Sequence, residues 1–401
     1  MDANEVDWLR GEQGALALAH ADALLASGVR ELAVLSRLRR EVGPEQARAV
    51  LALLEGRRSA AAKFSDAARL YFDRESAEQA TAEAVARHTA ARFAGTRRIA
   101  DLGCGAGGDA LALAEHAPVL AVDRDPTRLA LVAANAAARA LPIEGVEASV
   151  EAFTLPDDID AAWLDPARRD DGGRVHDPEQ WSPPLSTAVR IASSVARAGI
   201  KVAPGIDLAA VPEGAEVEFI SHEGTLVEAV LWLGAAVTAA RRATVITSGT
   251  AGVTVTSIAG APDTGATPIG VPGRMLYDLD PSVGRASLVD AVAPLLHAWR
   301  LDEHTAYLSG DEDAPDSPFA RRFRIDAWLP FAERRLRETL DALGATRVEV
   351  MRRASPVDTN ALETRLNRTL ASRGAPEQRV RTVALTRVRG EHVAIVCERV
   401  R

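Results

Sequence analysis

The stretch that decides the fold is residues 98–125, RIADLGCGAGGDALALAEHAPVLAVDRD. It begins with a short apolar strand and continues into a turn that contains four glycines. A helix over 110–115 follows, and then a second apolar strand over 119–122 that ends at Asp123. A strand, a glycine turn, a helix and a strand in this order are typical of nucleotide-binding sheets. The stretch therefore predicts a Rossmann-like α/β domain.

Two kinds of cofactor fit this turn. Gly103, Gly105 and Gly108 match the dinucleotide pattern G-x-G-x-x-G, whereas Asp101 and the glycines after it match the D-x-G-x-G of S-adenosylmethionine (SAM) enzymes. The acid in front of the glycines favours SAM, because a carboxylate attracts the cationic amino group of SAM and repels a pyrophosphate. We predict a SAM site and keep NAD as the alternative.

Length and composition set limits on the rest. A chain of 401 residues is long enough for two or three domains. The longest apolar run, 226–240, is interrupted by Glu228, and the acidic first residues lack a signal-peptide pattern, so we expect a cytoplasmic protein with no membrane partner. The only two cysteines, Cys104 and Cys397, form no metal-ligand cluster, so we expect no metal. The oligomeric state is left open.

Charge is distributed unevenly along the chain. The net charge is −9, but residues 321–401 contain 18 arginines against 10 acidic residues, a net of +8. The preceding 320 residues carry a net of −17. Such an asymmetry predicts that the C-terminal part binds a polyanion.

The region before the glycine turn reads as helical over residues 4–95. Lys63 lies there beside aromatic residues, and we predict that it contacts substrate. The start of the next helix is predicted to cover the cofactor, with Gln79 and Thr81 near its methionine end. The alternative is a capped helix that only packs on the sheet.

Acids beyond the turn complete the predicted cofactor site. Asp123 ends the second strand, where it can accept hydrogen bonds from ribose hydroxyls. Glu151 follows a third predicted strand over 146–150 and is expected beside the adenine, with a solvated loop acid as the alternative. Asp109 and Arg124 are also predicted to bind the cofactor.

The fourth predicted strand, 161–164, leads into Asp165, Pro166, Ala167, Arg168 and Arg169. The residue before a proline is kept extended, so Asp165 would hold a carboxylate at the edge of the sheet where ligands bind. We predict Asp165, Pro166 and Arg168 as catalytic residues, although a simple Asp-Pro turn is the alternative. Arg169 and Trp181, in the polar loop that follows, are predicted to contact substrate.

Four regions follow from these patterns. Residues 1–90 form an N-terminal helical domain, 91–247 the cofactor domain, 248–318 a connecting segment and 319–401 a compact α/β domain. Residues 248–273 are rich in Gly, Thr and Pro and read as irregular. The C-terminal domain contains most of the arginines that are in excess over acidic residues, and Arg352 and Arg353 are predicted to bind a polyanion.

The sequence resembles the class I SAM-dependent methyltransferases with a C-terminal THUMP-like domain, a group common in Actinobacteria. The resemblance rests on DLGCGAGGDALALA, AVDRDP, LDPARR, RRFRIDAWLPF and VEVMRRASPVD. The N-terminal helix, glycine turn and Asp-Pro motif also resemble guanine-N2 methyltransferases that act on RNA caps. The resemblance implies an α/β enzyme with RNA, in tRNA or rRNA, as its substrate.

One departure concerns the Asp-Pro motif. Amino-methylating enzymes have a second proline and an aromatic residue where this chain has Ala167 and Arg168. Arg168 can stack on a base or hold a phosphate, and Trp181 can replace the aromatic residue. A ring nitrogen, a ring carbon or a ribose therefore remains open as the target. An RNA-binding protein with a non-catalytic SAM site, a nicotinamide-dependent oxidoreductase and a small-molecule methyltransferase are the rival functions.

Overall fold

The computed structural model describes residues 1–167, 169–170, 173–175, 177–250, 252–312, 314–371 and 379–400. The chain divides into two compact units. The first comprises Met1–Glu216 and Glu228–Thr238, and the second comprises Val217–Val227 and Ala239–Arg401. The main chain passes between the units three times.

The first unit begins with four helices that pack around a shared apolar core. Asp2 caps the first helix, since its carboxylate accepts a hydrogen bond from the Glu5 amide at 2.8 Å. Pro44 starts the fourth helix, a position that needs no amide hydrogen. The four helices are α1 (Ala3–Arg10), α2 (Glu12–Ala26), α3 (Glu31–Glu41) and α4 (Pro44–Ala60), and α5 (Arg74–Gln79) and α6 (Glu83–Ala90) follow before the sheet. The predicted N-terminal helices are thus present.

The sheet of the first unit contains five strands that run parallel and a sixth that pairs antiparallel with the last of them. Its strands are β1 (Ile99–Leu102), β2 (Val119–Asp123), β3 (Ile143–Glu147), β4 (Ala161–Leu164), β7 (Arg197–Val202) and β9 (Thr225–Gly234). A small ribbon pairs β5 (Arg169–Asp170) with β6 (Gly173–Arg174). The connecting helices are α7 (Gly108–Leu113), α8 (Pro126–Arg139) and α9 (Leu185–Ala192). This is the predicted Rossmann-like sheet, although β3 ends three residues earlier than expected.

Strand order explains where a ligand can bind. Within the first unit the order is β9-β7-β4-β1-β2-β3. The chain therefore places β2 and β3 on one side of β1 and then β4 on the other side. The register aligns Leu102 with Leu164, and the carboxyl ends of β1 and β4 therefore lie side by side. In open α/β sheets, ligands bind at this reversal of strand order.

The strands of the second unit are β8 (Glu216–His222), β10 (Arg241–Gly249), β11 (Gly252–Gly260), β12 (Met275–Leu279), β13 (Trp299–Arg300), β14 (Tyr307–Gly310), β15 (Ala320–Pro330), β16 (Arg347–Arg352), β17 (Val380–Val388) and β18 (Glu391–Arg399). Its helices are α10 (Pro281–Ala286), α11 (Val289–Val292), α12 (Glu333–Ala342) and α13 (Thr359–Ala371).

Seven of these strands form a sheet in the order β13-β14-β12-β15-β18-β17-β16. All neighbouring strands of this sheet are antiparallel except β16 and β17, which run parallel. In the remainder of the unit, β10 runs parallel to β8 and antiparallel to β11.

The prediction that residues 248–318 only connect two domains is wrong. β12 pairs with β15 in an antiparallel register that sets Asp278 opposite Arg321, so the segment contributes to the C-terminal sheet. Residues 248–273 are not irregular throughout, because β11 lies within them. Its sequence, GVTVTSIAG, contains the β-branched residues that favour strands, and the surrounding Gly and Pro residues hide that signal. The boundaries after residues 90, 247 and 318 stay predictions.

A buried asparagine holds the helical region against the glycine turn. The Asn135 side chain, on α8, is fully buried. Its oxygen accepts a hydrogen bond from the Tyr71 amide at 2.6 Å, and its nitrogen donates to the carbonyls of Tyr71 at 3.0 Å and Ala106 at 3.2 Å. Three backbone groups from two segments thus depend on one side chain. No helix in the described ranges is long and apolar enough to cross a membrane.

Replacing this asparagine should destabilise the first unit. In Asn135→Ala the three backbone groups lose their partner, and each buried polar group left unpaired costs about 1–3 kcal/mol. We expect the free energy of unfolding to fall by about 2 kcal/mol or more, measured by denaturant titration. Asn4→Ala, at an exposed position of α1, is the control and should change stability by less than about 0.5 kcal/mol. Equal stability of the two variants would contradict this role of Asn135.

Candidate active site

A cleft of about 830 Å³ lies in the first unit at the carboxyl ends of the central strands. It falls within the size range of small-molecule sites. The segments after β1, β2 and β4 line it, together with the end of α5 and Lys201 on β7. The predicted residues that it brings together are Gln79, Thr81, Gly103, Gly105, Asp109, Asp123, Arg124, Glu151, Asp165 and Pro166.

The glycine turn forms the floor of the cleft. Gly103 has a φ of +84°, and a Cβ built there would lie 3.1 Å from the Asp165 carbonyl oxygen. Gly105 has a φ of +52°, and a Cβ there would meet nothing within 4 Å. The first glycine allows the ends of β1 and β4 to approach each other. The second leaves open space above the turn, where a side chain would obstruct a ligand.

Asp123 fixes the shape of the turn from the end of β2. One carboxylate oxygen accepts a hydrogen bond from the Gly105 amide at 3.0 Å, and the other accepts one from the Asp125 amide at 3.0 Å. The neighbouring Arg124 is exposed at the mouth of the cleft. The acid therefore lies within the cleft wall, as predicted, and connects β2 to the turn.

Asp101 is the most unusual group near the cleft. Its side chain is only 1% exposed, and neither carboxylate oxygen has a hydrogen-bond partner among the described residues. Burial raises the pKa of Asp101 well above its usual range, and the nearby carboxylates of Asp109 and Asp165 raise it further. One oxygen of Asp109 is also buried without a partner. Three buried carboxylate oxygens without donors, two on Asp101 and one on Asp109, are suited to a cationic ligand.

Thr81 connects the helical region to this acidic group. Its hydroxyl donates to Asp109 Oδ2 at 3.0 Å and accepts from the Lys201 ammonium at 2.7 Å. Gln79, two residues earlier, lines the cleft and donates to Glu75 at 3.0 Å. The end of α5 and the residues after it thus line the cleft, and their role as a cover over the cofactor stays a prediction.

Lys201 was not predicted to be functional. Its ammonium lies 3.0 Å from Asp165 Oδ2, 3.5 Å from Asp109 Oδ2 and 3.8 Å from Glu228 Oε2. The sequence contains one signal for this residue. Lys201 and Lys63 are the only lysines among 47 basic residues, so these two positions have an ammonium where the chain otherwise has arginine. A compact ammonium fits between several acceptors, whereas a planar guanidinium does not.

Asp165 and Glu151 line the cleft from the segments that follow β4 and β3. The Asp165 side chain is 30% exposed, and only its Oδ2 is hydrogen-bonded among the described residues, to Lys201. Glu151 accepts hydrogen bonds from the hydroxyls of Ser149 at 2.5 Å and Ser182 at 2.9 Å. The Ser149 hydrogen bond contributes most to lowering the pKa of Glu151. Ala167 and Ser182 exchange backbone hydrogen bonds, which hold the two ends of the intervening loop together.

Three predicted substrate contacts are wrong. Lys63 donates to the carbonyls of Glu78 at 2.6 Å and Ala80 at 2.7 Å, so its ammonium stabilises the segment that carries Thr81 instead of entering the cleft. Trp181 is 3% exposed, and its indole nitrogen donates to the Val175 carbonyl at 3.1 Å, so its ring cannot replace an aromatic residue at the cleft.

The third correction concerns the C-terminal arginines. Arg353 donates to Asp278 at 2.8 Å and to the Leu279 carbonyl, and its guanidinium lies over the Tyr307 ring. Arg353 therefore forms an ion pair within the second unit, and its guanidinium is not available to a polyanion. Arg352 is exposed, with one contact to the Val357 carbonyl at 2.6 Å. Arg168 and the side chain of Arg169 lie outside the described residues.

An adenosyl cofactor with a cationic amino group fits this cleft on three observations. The glycine turn leaves open space at Gly105. Asp101 and Asp109 present buried carboxylate oxygens without donors. The cleft is bounded by further acids at Asp123 and Glu151, and no basic residue lies on the glycine turn. A dinucleotide pyrophosphate would meet these acids and is therefore disfavoured.

Stability should depend on pH through Asp101. Its raised pKa means that the folded state binds a proton more tightly than the unfolded state, so the free energy of unfolding falls as the pH rises from the unfolded pKa through the folded one. In Asp101→Asn this contribution is absent. We therefore expect the difference in melting temperature, variant minus wild type, to be more positive at about pH 8 than at about pH 5. Asp157→Asn, an exposed acid, serves as the control, and the same pH trend in both variants would refute the assignment.

Comparison with known proteins gives the family. Residues 99–167 match a family described as methyltransferase domain, residues 320–399 match THUMP domain-like, and residues 2–60 match a domain of unknown function. The chain is 37% identical over 306 residues to uncharacterized SAM-dependent methyltransferases from two strains of Mycobacterium tuberculosis. That alignment covers 74% of this chain and 80% of each relative.

A solved structure supports the fold. The chain superposes on a protein of Porphyromonas gingivalis W83, solved as a candidate methyltransferase, with a TM-score of 0.70 at 17% identity. The match covers 89% of this chain and 92% of that one. The 37% identical relatives are SAM-dependent methyltransferases, so SAM, and not the alternative NAD, is the cofactor. The chain belongs to the class I SAM-dependent methyltransferases that carry a C-terminal THUMP-like domain.

Proposed function

We propose that the protein methylates a nucleotide of RNA, in tRNA or rRNA. The observation that carries the proposal is the surplus of positive charge in residues 321–401, which coincides with the THUMP-like match. Phosphate groups are the general target of such arginine-rich surfaces. An RNA substrate also implies that the protein works in the cytoplasm.

Two exposed arginines are the best candidates for phosphate contacts. Arg347 begins β16, and Arg379 immediately precedes the strand that pairs with it in parallel, so both lie at the same end of that pair. The Arg379 carbonyl accepts hydrogen bonds from the amides of Thr346 and Arg347, which keeps the two backbones together. Neither guanidinium has a partner within the described ranges. Many other arginines of this region are paired with acids, for example Arg381 with Asp326 at 2.7 Å.

The roles of the cleft residues follow from their chemistry. The cofactor supplies an electrophilic methyl group on a cationic sulfur. We infer that Asp101 and Asp109 bind its amino group, Asp123 its ribose hydroxyls and Glu151 its adenine. Gln79, Thr81 and Arg124 border the same space, and Gly103 and Gly105 leave room for it. Asp165 then orients the target group, and the walls exclude water and align the two reactants, which is how most of the barrier to methyl transfer is lowered.

The rival functions predict different behaviour of Asp165. If the SAM site is only regulatory, no transfer to RNA occurs in any variant. If a small molecule is the substrate, the arginine-rich region has no influence on activity. In both cases purified RNA remains unmethylated. The placement of Asp165 beside a buried ammonium at the open end of the cleft favours a catalytic site over a purely regulatory one.

The decisive measurement is transfer of labelled methyl groups from SAM to RNA from a strain that lacks the gene, with nucleoside mass spectrometry to identify the product. Asp165→Ala should lower kcat by about 10²-fold or more, because it removes the group that orients the target. Its Kd for SAM, measured by calorimetry, should stay within about fivefold of wild type. Asp157→Ala is the matched control. Wild-type protein that binds SAM but leaves this RNA unmethylated would disprove the proposal.

RNA binding should depend on salt through the exposed arginine pair. Each lost phosphate contact reduces the slope of log Kd against log salt by about 1, so Arg347→Ala with Arg379→Ala should reduce it by about 2. Arg48→Ala, an exposed arginine of α4, is the control and should leave the slope unchanged. Filter binding at several salt concentrations measures the slope. An unchanged slope in the double variant would move the RNA site away from this end of β16 and β17.

A further inference from the structure

Lys201 is the one buried ammonium of the cleft, and its surroundings define a second feature of the site. It lies on β7, with a side chain 9% exposed. Burial alone would lower the pKa of Lys201, but Asp109, Asp165 and Glu228 outweigh burial and raise it. The three carboxylates therefore favour the charged form of the ammonium, which makes Lys201 unsuited to removing a proton from a substrate.

Two hydrogen bonds of this ammonium connect two parts of the site. One, at 2.7 Å, reaches the Thr81 hydroxyl, which in turn donates to Asp109, a residue predicted to bind the cofactor. The other, at 3.0 Å, reaches Oδ2 of Asp165, the predicted catalytic acid. Asp165 Oδ1 has no partner among the described residues and belongs to a side chain that lines the cleft. Lys201 thus fixes the orientation of the carboxylate and leaves one acceptor for a ligand.

We propose that Lys201 is a positioning residue that holds Asp165 so that its free oxygen accepts a hydrogen bond from the methyl acceptor. This inference rests on the proposed function in RNA methylation and adds a residue to the site of that reaction. The lysine acts through Asp165 and does not touch the reacting atoms.

The contact can be tested in the free enzyme because the chain contains only two lysines. Protein labelled with ¹⁵N-lysine should give two ammonium signals, assigned with Lys63→Arg and Lys201→Arg. Asp165→Ala should shift the Lys201 signal and leave the Lys63 signal in place, while Asp157→Ala shifts neither. An unshifted Lys201 signal in Asp165→Ala overturns the proposal without any activity measurement.

Kinetics test whether the lysine acts through Asp165. Lys201→Met should lower kcat for RNA methylation by about 10²-fold with KM for RNA changed less than about threefold, and Lys201→Arg should recover activity to within about tenfold of wild type. In the Asp165→Ala background, Lys201→Met should lower kcat no further. A second full loss in that background would show that the lysine acts elsewhere and would overturn the positioning role.

The lysine signals separate this proposal from the broader one. RNA methylation by the wild-type protein together with an unshifted Lys201 signal in Asp165→Ala would refute the positioning role but leave RNA methylation standing. RNA that acquires no methyl group would disprove the proposed function, and the lysine signals would still report whether Lys201 holds Asp165.

Discussion

The first unit is organised around the cost of placing acids together out of water. Asp101 lies near the end of β1 and Asp165 follows β4, where the strand order reverses, while Asp109 lies on α7 and Glu228 on β9. A single ammonium, Lys201, is shared among Asp109, Asp165 and Glu228. Buried charges are tolerated only when partners offset the loss of hydration. Asp101 has no such partner, and its raised pKa is the consequence. The excess of buried negative charge is reduced when a cation binds. The buried acids that limit the stability of the free protein therefore favour binding of its cationic cofactor.

The glycine turn and the acids after each strand could be predicted from sequence because their signals are local. Residues 98–125 contain both the strand ends and the glycines that permit positive φ, and one segment suffices to place Asp101, Gly105 and Asp123. Lys201 could not be placed in this way. It is 92 residues from Asp109 and 36 from Asp165, and only the parallel pairing of β7 with β4 brings these groups together.

Side-chain direction explains the other predictions that failed within the site. Trp181 and Lys63 occur in suitable segments, but their nitrogen atoms donate hydrogen bonds to backbone carbonyls. The local sequence contains no sign of these hydrogen bonds. Arg353 shows the same limit in the second unit. The number of arginines predicts a basic surface, yet Arg353 is paired with Asp278, which lies 75 residues earlier in the chain. Exposed arginines such as Arg347 and Arg379 can be distinguished from paired ones only in the folded protein.

The pairing of β12 with β15 affects how the C-terminal part can be handled experimentally. A fragment that begins at residue 319 would retain β15 but lose the strand that covers its edge. Arg321 and Arg353 would also lose Asp278, which both of them contact. The truncated protein would present an unpaired strand edge, and such edges promote self-association. A soluble fragment for RNA work should therefore start before β12, at or upstream of residue 273, and not at the boundary of the THUMP-like sequence match.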